Sequence, residues 1–440
     1  MFVVVVFVVL AILAGAGLVA VTRSGRTPQA TSSTPRPPLA RAVPPAAVES
    51  AADRRSDALN ALLASRASAV LHRDRAGFLA SVDPAAPAFR RSQQRLFDAL
   101  GALRFSSWRY DIDASAPGRA VPNPARFRGA TETYAPRTAA VRYQLASYDV
   151  AATSTRVGLT FVRRGARWLI AADSDFDRTT AGTQREVWDY GPLTAIRGPR
   201  TLVIGRPADR QLLYRLRAEA ERGIPRVTAV WGRGWASRVV IAVPASQSEL
   251  AAILRKPYGS LSRMAAVATA ELGSLGHTAA VGNRILINPA NVDRLGALGR
   301  QVVITHEITH VATRAATAAG TPTWLVEGFA DYVAYRSARL PVAAAAPELR
   351  TAVRADRIPR ELPADRDFAG SNPRLAQVYE EAWLAVRLIA DRAGPGGLLR
   401  FYRAAASGPG GLAAALASEL GLSPAGFTAL WRRYLIAELS

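Results

Sequence analysis

Two histidines and a glutamate stand together in Thr305-His306-Glu307-Ile308-Thr309-His310. On a helix, residues four apart lie one turn above each other on one face, so His306 and His310 can close on a single zinc ion. Glu307 follows the first of them and projects beside the metal position, where its carboxylate can take a proton from water. Two imidazoles leave a tetrahedral ion one protein ligand short. Glu327, in Trp324-Leu325-Val326-Glu327-Gly328-Phe329-Ala330-Asp331-Tyr332, comes after sixteen intervening residues. That is room to finish one helix, turn at Gly320-Thr321-Pro322 and start another. Asp331, one turn beyond Glu327, can accept the free ring N–H of a ligating histidine.

Coincidence is the competing explanation for so short a pattern. The chain has only four histidines and two of them are in it, which puts a chance match on the order of a percent or less. Val302, Val303, Ile304, Ile308 and Val311 also mark this helix as buried, where two histidines and a glutamate without a ligand would be costly.

Over roughly residues 200–440 the chain resembles the gluzincin metallopeptidases, most closely the peptidase MA-like group. His306-Glu307-Ile308-Thr309-His310 and Pro322 to Tyr332 carry the resemblance, with Val378-Tyr379-Glu380-Glu381-Ala382-Trp383 resembling the Y-E-K-G region of the gluzincin aminopeptidases. The resemblance implies a zinc peptidase in which Tyr379 stabilises the oxyanion and Asp331 orients a zinc histidine. It also implies an edge strand before the metal helix that aligns substrate, for which His277 to Val281 is the candidate; His277 itself reads as a polar residue of that edge. No G-x-M-E-N stretch is present, so the expected activity is that of an endopeptidase.

The elements that must position these residues read as an α+β chain. Residues 1–22 form a membrane anchor or signal segment, Phe2 to Val21 being an apolar run long enough to span a bilayer. Residues 23–50 form a Pro/Ser/Thr-rich linker. Residues 51–180 begin helical, with Asp57 as a possible cap. They continue as strands over Phe105–Asp113, Thr131–Tyr148, Val157–Arg163 and Arg167–Asp173, which resembles an NTF2-like α+β cone. Residues 195–440 form the metallopeptidase part: a small mixed sheet, the active-site helix and a mainly helical C-terminal region. There Pro225 should kink or divide the helix Ala208–Trp231. Gly282-Asn283 reads as a hairpin turn between His277–Val281 and Arg284–Asn288. Helices are expected over 377–392, 396–406, 410–420 and 424–439. His72 reads as a solvated residue; Tyr143, Tyr148 and Trp168 read as core.

Composition narrows the function. There are no cysteines, which excludes a disulfide framework and thiol catalysis. The net charge is +22, and Lys256 is the only lysine. Such a balance favours anionic surfaces such as lipid headgroups. The arginines are scattered without interleaved aromatics, so nucleic acid is not an expected partner. A peptide or protein substrate and a membrane reached through the N-terminal helix are. Arg23 and Arg26 after the apolar run would keep the rest of the chain cytoplasmic, whereas the linker resembles an exported stalk; the expectation is an extracytoplasmic catalytic part, secreted if the segment is cleaved. The competing class is a membrane-tethered binding or scaffold protein with an inert zincin half. The oligomeric state is left open.

Overall fold

The computed structural model describes residues 50–271, 281–408 and 410–440. The expected anchor, most of the linker, and His277 with its neighbours lie outside them. No helix among the described residues is long and apolar enough to cross a membrane.

Helices α1 (Ala51–Leu71), α2 (Arg75–Ala80) and α3 (Pro87–Leu100) come first. The cap of α1 is Ser50, reciprocally bonded with Asp53, rather than Asp57, because this capping box satisfies orphan backbone donors about two turns earlier. Strands β1 (Phe105–Ile112), β2 (Glu132–Tyr134), β3 (Ala139–Leu145), β4 (Thr153–Arg156), β5 (Thr160–Arg164) and β6 (Arg167–Ala172) follow. They make two antiparallel sheets, β1-β3-β4 and β2-β5-β6. The single strand expected over 131–148 is therefore two strands in different sheets. Pro136 lies between them and cannot donate to a ladder.

Strands β7 (Thr194–Arg197), β8 (Thr201–Gly205), β9 (Val239–Ala242), β10 (Ala266–Glu271) and β11 (Val281–Ile287) build a mixed sheet in the order β10-β11-β9-β8-β7. Helix α4 (Arg210–Trp231) lies between β8 and β9 in the chain, and α5 (Gln247–Leu254) between β9 and β10. Pro225 sits inside α4 without dividing it. Leu216, Ala220, Ile224 and Val227 are fully buried on one stripe, and this packing holds the helix through the lost hydrogen bond.

The hairpin expected at Gly282-Asn283 is not formed. Both residues lie inside β11, which pairs with β10 instead. Gly282 has φ 67°, and the register slips between Thr269 and Glu271 opposite it, so the glycine serves an irregularity in the ladder rather than a turn. Among the described residues the sheet ends at β10, beside the helix that carries His306; the expected edge segment, apart from Val281 in β11, lies outside them.

The sheet sorts its side chains by the two-residue period of a strand. Val203, Ile241 and Ile285 face a core shared with α4 and the helices of the C-terminal region. Leu202, Ile204, Val240 and Leu286 face the other way, into a core shared with Trp108, Tyr143 and Trp188 of the N-terminal region. A buried ion pair reinforces that second contact: Arg284 on β11 holds Asp149 through both oxygens, at 2.6 and 2.8 Å.

The rest is helical: α6 (Pro289–Val292), α7 (Ala297–Thr313), α8 (Thr323–Tyr335), α9 (Val342–Ala345), α10 (Pro347–Arg354), α11 (Leu375–Ala405), α12 (Gly411–Leu420) and α13 (Pro424–Leu439). The expected break between 392 and 396 is present, since Gly394 within α11 has φ 70°. Two close crossings set the site. At Gly223 a Cβ would come within 2.8 Å of Ile308 Cδ1, which lets α4 lie directly against α7. At Gly328 it would overlap the Ala382 carbonyl and come within 2.9 Å of Val386, which lets α8 lie against α11. Gly328→Ala must part those two helices. We expect it to cost about 3 kcal/mol, the upper end for overpacking because a backbone carbonyl cannot rotate away. Denaturant midpoints of the two proteins measure this; an unchanged midpoint would refute the crossing.

Candidate metal centre

Helix α7 is buried on nearly every side, so its polar side chains must find partners within it. Thr305 and Thr309 do so by donating back to the carbonyls of Gln301 and Thr305, at 2.7 and 2.8 Å. His306, Glu307 and His310 have no such local outlet. Helix α8 lies alongside, its first turn held by Thr323 N–H donating to Asp365 at 2.9 Å. It brings Glu327 and Asp331 to the histidines.

The three ligand atoms converge. His306 Nε2 and His310 Nε2 are 2.9 Å apart. Glu327 Oε2 is 3.2 Å from the first and 3.5 Å from the second. Ligands tetrahedrally disposed about zinc at the usual bond lengths stand about 3.3 Å from one another, so the triangle has the size of one face of that polyhedron. All three residues are buried, and they form a group able to hold a metal ion. The Nδ1 of His306 lies 2.7 Å from Asp331 Oδ1. Donation there leaves the Nε2 lone pair directed at the centre, the role expected of Asp331.

The charges respond to this crowding. Burial works against a proton on His306, but Asp331 and Glu327 outweigh it and raise its pKa to about 10. Burial likewise works against an ionised Glu327, but His310 and His306 hold it at about 2. Burial lowers His310. These shifts favour a proton on His306 beside an ionised Glu327. A metal takes the neutral imidazole, so below about pH 10 it must displace that proton. Zinc uptake should release about one proton, and apparent affinity should rise about tenfold per pH unit between roughly pH 7 and 9. Calorimetry in buffers of different ionisation enthalpy gives the proton count; a count near zero would contradict the proton on His306.

Glu307 lies beside the triangle, fully buried, with neither carboxylate oxygen accepting a hydrogen bond among the described residues. Burial pushes its pKa up to about 7, His306 opposing and Glu327 adding to the shift. Tyr379, on the first turns of α11, is brought to the same place. Its ring centre is 6.5 Å from that of His306, and its buried hydroxyl has no hydrogen-bond partner among the described residues. Burial and then the charges of Glu327, Asp331 and Glu307 raise its pKa well above 10, so it stays a donor. Its neighbour Glu380 is not part of the centre; it accepts from the Leu349 amide at 2.6 Å and holds the N-terminus of α10.

Arg314 was not among the expected residues. It stands one turn beyond His310 on the same face, donates to the Ala268 carbonyl of β10 at 2.9 Å, and is attracted by Glu307. The i, i+4, i+8 run of His306, His310 and Arg314 is the signal that would have found it. His72 is exposed, as expected, its ring bonded to Ser68. Tyr143 and Trp168 are core.

The chain matches no family model and no curated protein. Among solved structures it is similar to an M1 zinc metallopeptidase of Deinococcus radiodurans, with 17% identity and a TM-score of 0.33. The likeness covers 57% of this chain and 52% of that one, about half of that protein's length.

Proposed function

We propose that this chain is a zinc-dependent peptidase, most simply an endopeptidase of the gluzincin type. One observation carries the reading: three buried ligand atoms converge beside the buried Glu307 carboxylate, whose oxygens accept no hydrogen bond among the described residues. Unpartnered buried carboxylates are costly, and a dication with a polar substrate is the chemistry that compensates them.

His306, His310 and Glu327 would hold the ion, and Asp331 fixes the His306 ring. Zinc bound there supplies a Lewis acid that polarises a carbonyl and acidifies a water. Glu307 takes the proton of the attacking water and returns it to the leaving amine; a base with a pKa near 7 suits both transfers. Tyr379 donates to the developing oxyanion from its otherwise unpartnered hydroxyl. Strand β10 ends the sheet among the described residues and offers backbone groups to an extended substrate. Arg314, bonded to that strand's Ala268 carbonyl, keeps it against α7.

In the same reading residues 51–180 are an NTF2-like module and residues 195–440 the catalytic module. The apolar run of residues 2–21 anchors the chain with its catalytic part outside the cytoplasm. The test is elemental analysis of the purified chain followed by a peptide library. About one zinc per chain, with chelator-sensitive cleavage restored by added zinc, supports the proposal. Stoichiometric zinc without turnover of any peptide would favour the inert, scaffold form of the same fold.

A further inference from the structure

The N-terminal region holds a small cavity of about 60 Å³, open at its mouth, between α1, α3 and the sheets that face them. Its walls include Phe89, Leu96, Trp108, Val157, Ile170 and Trp188, so its body is apolar and aromatic. Two donor groups on the wall keep capacity that the chain does not use. The first is Arg66, which is only 3% exposed. Its partners are all neutral: the Tyr110 hydroxyl at 2.9 Å, the Phe78 carbonyl, the Ser81 hydroxyl and Gln93. These bonds use all but one of the guanidinium N–H groups and leave its charge without an anion among the described residues. The second is the indole N–H of Trp108, buried and without an acceptor among the described residues.

The acids that also line the cavity are already committed. Asp173 is held by Arg185, at 3.1 Å. Glu186 accepts from Tyr143 and Thr155, at 3.1 and 3.2 Å. Asp189 accepts from the Glu186 amide at 2.7 Å. Burial also raises the pKa of Glu186, and that of Asp189 to about 7, which weakens their repulsion of an anion. A buried guanidinium without a counter-ion is costly, and a ligand carboxylate is the group that satisfies it and accepts from the indole as well.

We propose that this cavity is a binding site for a small monocarboxylic acid with an apolar body, its carboxylate on Arg66 and Trp108. The site is separate from the metal centre and does not rest on the peptidase reading. The test is calorimetric titration of the full chain with phenylacetate, hexanoate and indole-3-acetate, against 2-phenylethanol and phenethylamine. At least one acid should bind once per chain and at least tenfold more tightly than the neutral alcohol. Trp108→Phe should weaken it about tenfold while keeping the ring, and Val157→Phe should abolish it by filling the space. Because Arg66 also ties α1 to its neighbours, these milder variants carry the test. His310→Ala should bind the acid unchanged, which separates this site from the zinc site. No binding of any acid at millimolar concentration would overturn the proposal, as would equal binding of the alcohol or preference for the amine.

Discussion

His310→Ala is expected to lose zinc altogether, falling from about one ion per chain to none at micromolar free metal. The reason is geometric. Glu327 Oε2 and the two Nε2 atoms are the three corners of the centre, and His310 contributes the corner nearest His306. Without it two ligands are left, too few for a structural or catalytic zinc site. Binding to the native state is itself stabilising. At a thousandfold excess of free zinc over Kd the wild-type chain should gain about 4 kcal/mol against unfolding. The variant should gain nothing, so the zinc-dependent rise in its melting temperature disappears. The variant also tests whether burial of Glu327 depends on the histidines. Its carboxylate is fully buried and held ionised chiefly by His310, so its pKa should climb once that partner is gone. A variant that keeps both zinc and the thermal shift would remove the proposed ligand set.

The cluster of candidate metal ligands was readable because its geometry is local. A helix places His306 over His310 whatever surrounds it, and the following helix supplies Glu327 and Asp331 within one turn of each other. Helix breaks written in glycine and proline, such as Gly394-Pro395, were readable for the same reason. What escaped depends on partners far away in sequence. Gly282-Asn283 has the composition of a hairpin turn, yet β11 runs through it because its partner is β10, across residues 272–280. Pro225 has the composition of a helix break, yet the buried stripe from Leu216 to Val227 keeps α4 whole. The closeness of α8 to α11 rests on the missing side chain of Gly328, which no periodicity records. Arg314 acquires its place only when the Ala268 carbonyl arrives from β10. Binding sites follow the same division: ligands on consecutive helices show in the sequence, whereas the cavity beside Arg66 is assembled from helices and sheets that no short motif joins.

Glu307→Gln should separate binding from chemistry. The substitution keeps volume and hydrogen-bonding reach but removes the base. Glu307 is not one of the three converging atoms, so zinc content should stay near one per chain. Turnover should fall by about a thousandfold, the middle of the range for removal of a general base. Michaelis constants should change little, because the carboxylate acts on the attacking water rather than on the bound peptide. Two further readouts make the case specific. The fall should lie in kcat, and the acidic limb of the pH–rate profile should vanish from the residual activity. That limb belongs to a group which burial places near pH 7, ionised above and protonated below; zinc's positive charge moves it to lower pH, so wild-type rate should rise with pH and level off below neutrality. Stability offers an independent sign. Folding raises the Glu307 pKa, so its ionisation destabilises the native state as pH rises through the unfolded value, and the neutral glutamine should relieve that cost at neutral pH. The variant should therefore be at least as stable as the wild type at pH 8 while nearly inactive. A Glu307→Gln chain as active as wild type would remove the mechanism and leave a metal site of another purpose.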